Sequence, residues 1–353
     1  MTTANGGSSS PGSRKRRRVS VDEDEREAIP PTRSSIWFDD GSIVLQAENV
    51  QFKVHRTILT RHSVIFRDTF GVPHPTHSEP TVDGCPLLHL TDAAEDVKHL
   101  LLALYDKYDA QSLQGSLCLT GMRRCYNPRE AVEFNVLAAM IRMGRKYEID
   151  YLREEALVRL TTEFPTTLTE WDKLPHFYTQ IVHQNGILFD IINLALQNDI
   201  KSILPAAYYL CIQELDDLLF GSKREDGSTA KVPPEIQLVC VMGREKLLRA
   251  QAEHPYKWVE SVGSLDKCCQ HNRCLDAAHN ITKTLWIPMP EPARTLEKWD
   301  EFSTIASTYV KALCTQCMAH ARISHEEGRE YLWEYLPSYF GLPPWEELKN
   351  LDE

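Results

Sequence analysis

The chain has 353 residues, 39 basic and 50 acidic side chains, a net charge of −11, 42% hydrophobic residues and ten cysteines. No apolar run approaches the roughly 18–20 residues of a bilayer span, and the opening MTTANGGSSSPGS has no apolar core for a secretory signal. The sequence therefore reads as neither membrane-embedded nor secreted, and its cysteines as thiols or metal ligands rather than disulfides. The acidic balance argues against a body that binds nucleic acid directly.

Charge is unevenly placed. Residues 1–35 carry seven basic and five acidic groups, a balance of +2, which leaves about −13 for the rest. This segment is rich in Gly, Ser, Pro and charge, so it cannot offset its ordering entropy and is expected to be a disordered tail. Its run Arg14-Lys15-Arg16-Arg17-Arg18 has the form of a nuclear-import signal, with a solvated charge run as the plainer reading. Ser20, after Arg17-Arg18-Val19, resembles a phosphorylation site for a basophilic kinase, where phosphate would add negative charge beside the basic run.

A folded domain is expected over residues 36–160. Ile36-Trp37-Phe38 leads into the turn Asp39-Asp40-Gly41, and Ser42–Ala47 and Val50–His55 then flank Glu48-Asn49 as a β-hairpin. From Arg56 to Phe70 the period changes: Ile58, Leu59, Ile65, Phe66 and Phe70 fall on one broad helical stripe. Residues 71–86 form a loop, and Cys85 to Leu90 is a strand candidate. Asp92 is placed to cap a helix carrying Val97, Leu100, Leu101, Leu104 and Tyr105. After a polar stretch over 106–130, Asn127-Pro128-Arg129-Glu130 reads as another helix start, and two helices follow around Glu148-Ile149-Asp150.

The order hairpin, helix, strand, helix, helix pair resembles a BTB/POZ domain. The closest correspondence is Phe52-Lys53-Val54-His55-Arg56-Thr57-Ile58-Leu59 running on to Ser63-Val64-Ile65-Phe66, with Met143-Gly144, Tyr147, Ile149 and Leu152 similar to a later helix. The resemblance implies an α+β fold, a short β-sheet wrapped by helices, and a homodimer seam using the first helix and strand. Phe52, His55, Arg56, Ile58, Leu59, Ile65, Phe66 and Phe70 are the interaction residues it suggests. The residues themselves leave two readings open: the apolar positions can face a partner or the monomer core, and His55-Arg56 can take a carboxylate or close the strand-to-helix corner.

Residues 161–353 read as a mostly α-helical region, with amphipathic blocks at 168–178, 186–196, 204–219 and 238–248. Seven of the ten cysteines lie beyond residue 200. Cys314-x₂-Cys317 has the spacing of a metal knuckle, and Cys269-x₄-Cys274 supplies a second half for a structural zinc site, with Cys268, His271, His279 and His320 as alternative ligands. Buried free thiols and a redox pair are the competing readings. Trp333 to Trp345 is aromatic and proline-rich, either a packed cap or a peptide groove. With the cysteine pairs it resembles the C-terminal region of BTB proteins abundant in mushroom-forming fungi.

No dinucleotide, phosphate-loop, nucleophile-elbow or His-Glu-x-x-His motif is present, so the chain reads as non-enzymatic. The resemblance implies an interaction protein that binds other proteins through BTB-mediated homo- or hetero-oligomerisation, with a homodimer expected, and the basic run points to a regulatory role in the nucleus (the cytoplasm being the alternative site). A substrate adaptor for a cullin-type ubiquitin ligase is the alternative role.

Overall fold

Alternating apolar residues on either side of a two-residue polar turn make a hairpin the cheapest local structure for residues 43–54. In the computed structural model, which describes residues 30–72, 80–112, 130–288 and 294–351, that hairpin forms the middle of a five-stranded sheet. The strands are β1 (Thr32–Trp37), β2 (Ile43–Ala47), β3 (Val50–Val54), β4 (Thr81–Val82) and β5 (Cys85–Leu90), in the order β1-β3-β2-β5-β4. β2 and β3 pair antiparallel, with Leu45 opposite Phe52, and Glu48 takes a left-handed conformation in the turn. β5 lies parallel to β2, which requires a crossover between them. Two short helices, α1 (Arg56–His62) and α2 (Val64–Gly71), lie on that crossover.

Two expectations change here. The first strand begins at Thr32 rather than after residue 35, so the expected tail boundary falls inside β1. Thr32–Ser35 carry no apolar signal because β1 is an edge strand held by backbone pairing to β3, with Thr32 opposite Val50. The stripe from Arg56 to Phe70 is not one helix either. Ser63 is extended and serves both as the end of α1 and as the N-cap of α2. Its hydroxyl accepts from the Phe66 amide at 3.1 Å and donates to the Tyr147 carbonyl at 2.6 Å, so one buried side chain satisfies two backbone groups. Ser63→Ala should therefore cost about 2 kcal/mol in a denaturant titration. A loss under about 0.5 kcal/mol would show that this junction is held elsewhere.

The helices α3 (Ala94–Ser112), α4 (Phe134–Lys146) and α5 (Asp150–Glu163) complete this part. Asp92 does not cap α3. Its carboxylate instead takes Lys146 Nζ at 2.7 Å and the Tyr147 hydroxyl at 2.6 Å, tying the start of α3 to the end of α4, while the Ala94 amide donates to Glu48. α4 begins at Phe134, later than the expected start at Asn127; residues 127–129 lie outside the described residues.

The core does not pause at residue 160. Apolar side chains of the sheet and of α3–α5 join those of α7 (Ile187–Gln197), α8 (Leu204–Cys211) and α10 (Pro234–Glu253) in one buried cluster that the C-terminal Leu332–Leu351 stretch closes. Between them lie α6 (Leu168–Trp171), α9 (Leu215–Phe220) and a small hairpin, β6 (Ser222–Lys223) and β7 (Thr229–Ala230). The block at 168–178 winds for one turn only. The aromatic stretch at the end is a packed cap: Trp333 stacks on Trp345 at 5.4 Å, and Phe340 packs edge-on against Tyr208.

A second, separate core gathers Tyr256, Trp258, Trp299, Phe302 and five helices: α11 (Trp258–Ser261), α12 (His271–Trp286), α13 (Trp299–Ile305), α14 (Ser307–Val310) and α15 (Thr315–Glu334). The long α15 bridges the two cores. It crosses the end of α10 so closely that a Cβ on Gly328 would lie 2.5 Å from the His254 carbonyl carbon and the Pro255 nitrogen. A final turn, α16 (Leu336–Tyr339), packs on α8 and α10. No helix among the described residues is long and apolar enough to cross a membrane.

Candidate metal centre

Cys314 is the N-cap of α15 and Cys317 sits in its first turn, so the knuckle spacing places both sulfurs at a helix N-terminus. Cys274 lies in the first turns of α12, and Cys268 in the turn just before that helix. The four sulfurs lie within 4.8 Å of one another, and all four residues are buried. A tetrahedral ion with bonds of about 2.3 Å to sulfur sets its ligands about 3.8 Å apart; Cys314 and Cys268 stand at 3.9 Å. All four are free thiols. The cluster is close enough, and of the right chemistry, to bind a metal ion such as zinc.

Backbone amides aim at the sulfurs. The Cys314 amide lies 3.3 Å from Cys274 Sγ. The amides of Cys317 and Cys269 favour the thiolate form of Cys314, and the Gly263 amide favours that of Cys317. Gly263 reaches that position with φ +86, in a turn where a Cβ would lie 2.7 Å from Leu275. The amides hold the Cys314 thiol down at about 6. Burial pushes the Cys317 thiol up to about 12 and raises Cys274 as well. Four thiols packed this tightly cannot all ionise beside one another, whereas a divalent cation at their centre would remove the repulsion.

The sequence pointed to Cys269 as the fourth ligand, but the structure brings in Cys268 and leaves Cys269 exposed. Cys269 stays at the solvent edge, with its thiol beside Cys314, while Cys268 is enclosed, and spacing alone does not say which of the two adjacent residues is buried. The candidate histidines stay out of it. His271 Nδ1 sits 2.6 Å from the Gly263 carbonyl, His320 Nε2 contacts Ser261 Oγ, and His279 is exposed.

The residues suggested as an interaction surface divide. Phe52, Leu59 and Phe66 are fully buried, Phe66 stacking on Tyr147 at 4.4 Å, while Ile58, Ile65 and Phe70 are half-buried against the same core. His55 closes the strand-to-helix corner: its amide donates to the Tyr105 hydroxyl, and Nε2 lies 3.1 Å from Asp40. The His55 hydrogen bond holds the Asp40 carboxyl below its usual range. Among the described residues Arg56 takes no carboxylate, but it donates to the Phe70 carbonyl and lies over the Phe70 ring, fastening the α1–α2 pair. Arg14, Lys15, Arg16, Arg17, Arg18 and Ser20 lie outside the described residues. Two buried charged groups had no sequence signal: Arg329 and the carboxylate of Glu163. No protein-family model matches the chain, and no curated protein matches it in sequence.

Proposed function

We propose that the chain is a non-enzymatic protein-interaction protein, in which a BTB/POZ-like module over residues 36–160 mediates dimerisation and a zinc ion fixes the C-terminal helical lobe. The observation that carries the module is the order of elements: hairpin, helix pair, strand, helix and helix pair. It is built on one small sheet, with the His55 corner where strand passes to helix. The basic run at Arg14–Arg18 supports a nuclear setting, with partners that are proteins rather than nucleic acid or membrane.

Zinc is the ion the donor set favours. Four thiolates in a closed, buried group, all within 4.8 Å of one another, suit a structural site with no open position for substrate. Such an ion would hold the turn before α12 to the start of α15, at one edge of the second core.

Sedimentation of the 353-residue chain tests the interaction reading. A dimer at micromolar concentration is the expected result, and a strict monomer over the same range would overturn it. A cullin recovered with the tagged protein from cells would replace the nuclear regulatory role with the adaptor role.

A further inference from the structure

A cleft of about 560 Å³ opens beside the end of α5, between the 171–178 segment and the head of α13. Glu163 lines it and is only 4% exposed. One of its carboxylate oxygens, Oε1, accepts from the Thr179 amide at 2.6 Å, from the Thr179 hydroxyl at 3.2 Å and from the Gln180 amide. Among the described residues the other oxygen has no hydrogen bond, and no cation stands within ion-pair distance. A buried carboxylate is ordinarily paired, since the transfer of an ion out of water is costly.

The nearby charges are already committed. Arg159, one turn earlier on α5, is held by Glu155 and the Glu130 carbonyl. Lys298 gives its ammonium to the Asp172 carbonyl, and the Asp172 carboxylate is taken by Arg329. Glu301 adds a further carboxylate at the rim. The lining carboxylates Glu163, Asp172 and Glu301 outnumber the one lining ammonium, Lys298, and the walls are aromatic: Trp171, Tyr178 and Phe177, the last 70% exposed. Acid plus aromatic faces is the chemistry that selects a cation with an apolar stem over a neutral or anionic ligand.

We propose that this cleft binds an organic cation. An alkylammonium head would pair with the free oxygen of Glu163, and its stem would lie against Trp171, Phe177 and Tyr178. A free amine and a lysine side chain of a bound protein share this chemistry. The inference stands on the cleft alone, independent of how the N-terminal module is classified.

Calorimetric titration of the whole 353-residue chain tests it, with three probes: n-butylamine, N-acetyl-lysine methylamide and the neutral N-acetyl-norleucine methylamide. Both cations should bind at least about tenfold tighter than the norleucine probe, as expected for one charge-assisted contact. Glu163→Gln should erase that preference. Phe177→Ala, at an exposed position, should weaken the cations several-fold while leaving the thermal midpoint unchanged, which keeps the test open if Glu163→Gln fails to fold. Tighter binding of the lysine probe than of butylamine assigns the site to a peptide, and the reverse order assigns it to a free amine. Equal binding of charged and neutral probes, or no binding of any at millimolar concentration, overturns the proposal.

Discussion

Cys317→Ser and Cys274→Ser should each abolish stoichiometric metal binding and unfold the C-terminal lobe, the largest effect expected of any single substitution in the chain. Structural zinc sites contribute roughly 10–16 kcal/mol of apparent binding energy, and that energy is folding energy when the site forms only in the folded state. The lobe has its own aromatic core around Trp258, Trp299 and Phe302, so the observable loss is capped by the stability of that core. A loss of about 5 kcal/mol or more in denaturant unfolding, followed by tryptophan fluorescence, is the expected magnitude. A chelator should reproduce it in the unaltered protein. The choice between the adjacent cysteines makes the test sharper. Cys268→Ser should lose the metal as Cys274→Ser does, whereas Cys269→Ser should retain one ion per chain. The opposite pattern would return Cys269 to the ligand set.

The second large effect belongs to Arg329. Only 2% exposed, it binds Asp172 and Glu326 at 2.6 Å each and donates to the Leu296 carbonyl at 3.1 Å. Asp172 follows α6, Glu326 lies on α15 and Leu296 leads into α13, so one planar guanidinium joins three segments with its fork of donors. Breaking a buried pair by removing one partner costs about 3–5 kcal/mol. Both carboxylates are about a third exposed and can be rehydrated, which places Arg329→Ala near the lower figure, about 3 kcal/mol. Arg329→Lys should recover only part, because an ammonium cannot serve three acceptors in one plane. The pH dependence follows from Glu326. Burial would raise its carboxyl, but the Arg329 guanidinium outweighs burial and holds it below the usual value. A depressed carboxylate contributes stability above its unfolded pKa and loses it as pH falls through the folded one. The advantage of the unaltered protein over Arg329→Ala should therefore shrink on acidification through the carboxylate range. An advantage that is flat with pH would mean that packing of the side-chain stem, rather than its charge, holds the segments together.

What the sequence disclosed and what it hid have physical causes. The hairpin at 43–54 and the strand Cys85–Leu90 were legible because their periods are local, and so was the break between α4 and α5 at Glu148-Ile149. The split at Ser63 was hidden because the apolar stripe continues through it, although its hydroxyl both caps the Phe66 amide locally and reaches the distant Tyr147 carbonyl. β1 was hidden for the opposite reason, since an edge strand can form from polar residues by backbone pairing alone.

The metal cluster was half legible. Cys-x₂-Cys spacing is local and reported Cys314 and Cys317, while the choice of Cys268 depends on how a turn is oriented against a helix 46 residues away. Arg329 and Glu163 were not legible at all. A lone arginine in a helix and a lone glutamate at the end of another carry no mark of burial. Their roles arise from contacts made across 157 residues in one case and with a loop 16 residues on in the other.

Metal content measured on the intact, reduced chain by native mass spectrometry bears most directly on the account. It predicts one zinc per 40.4 kDa chain, retained through gel filtration and absent from Cys274→Ser. A fully folded chain that carries no metal, with Cys268, Cys274, Cys314 and Cys317 reduced, would contradict it.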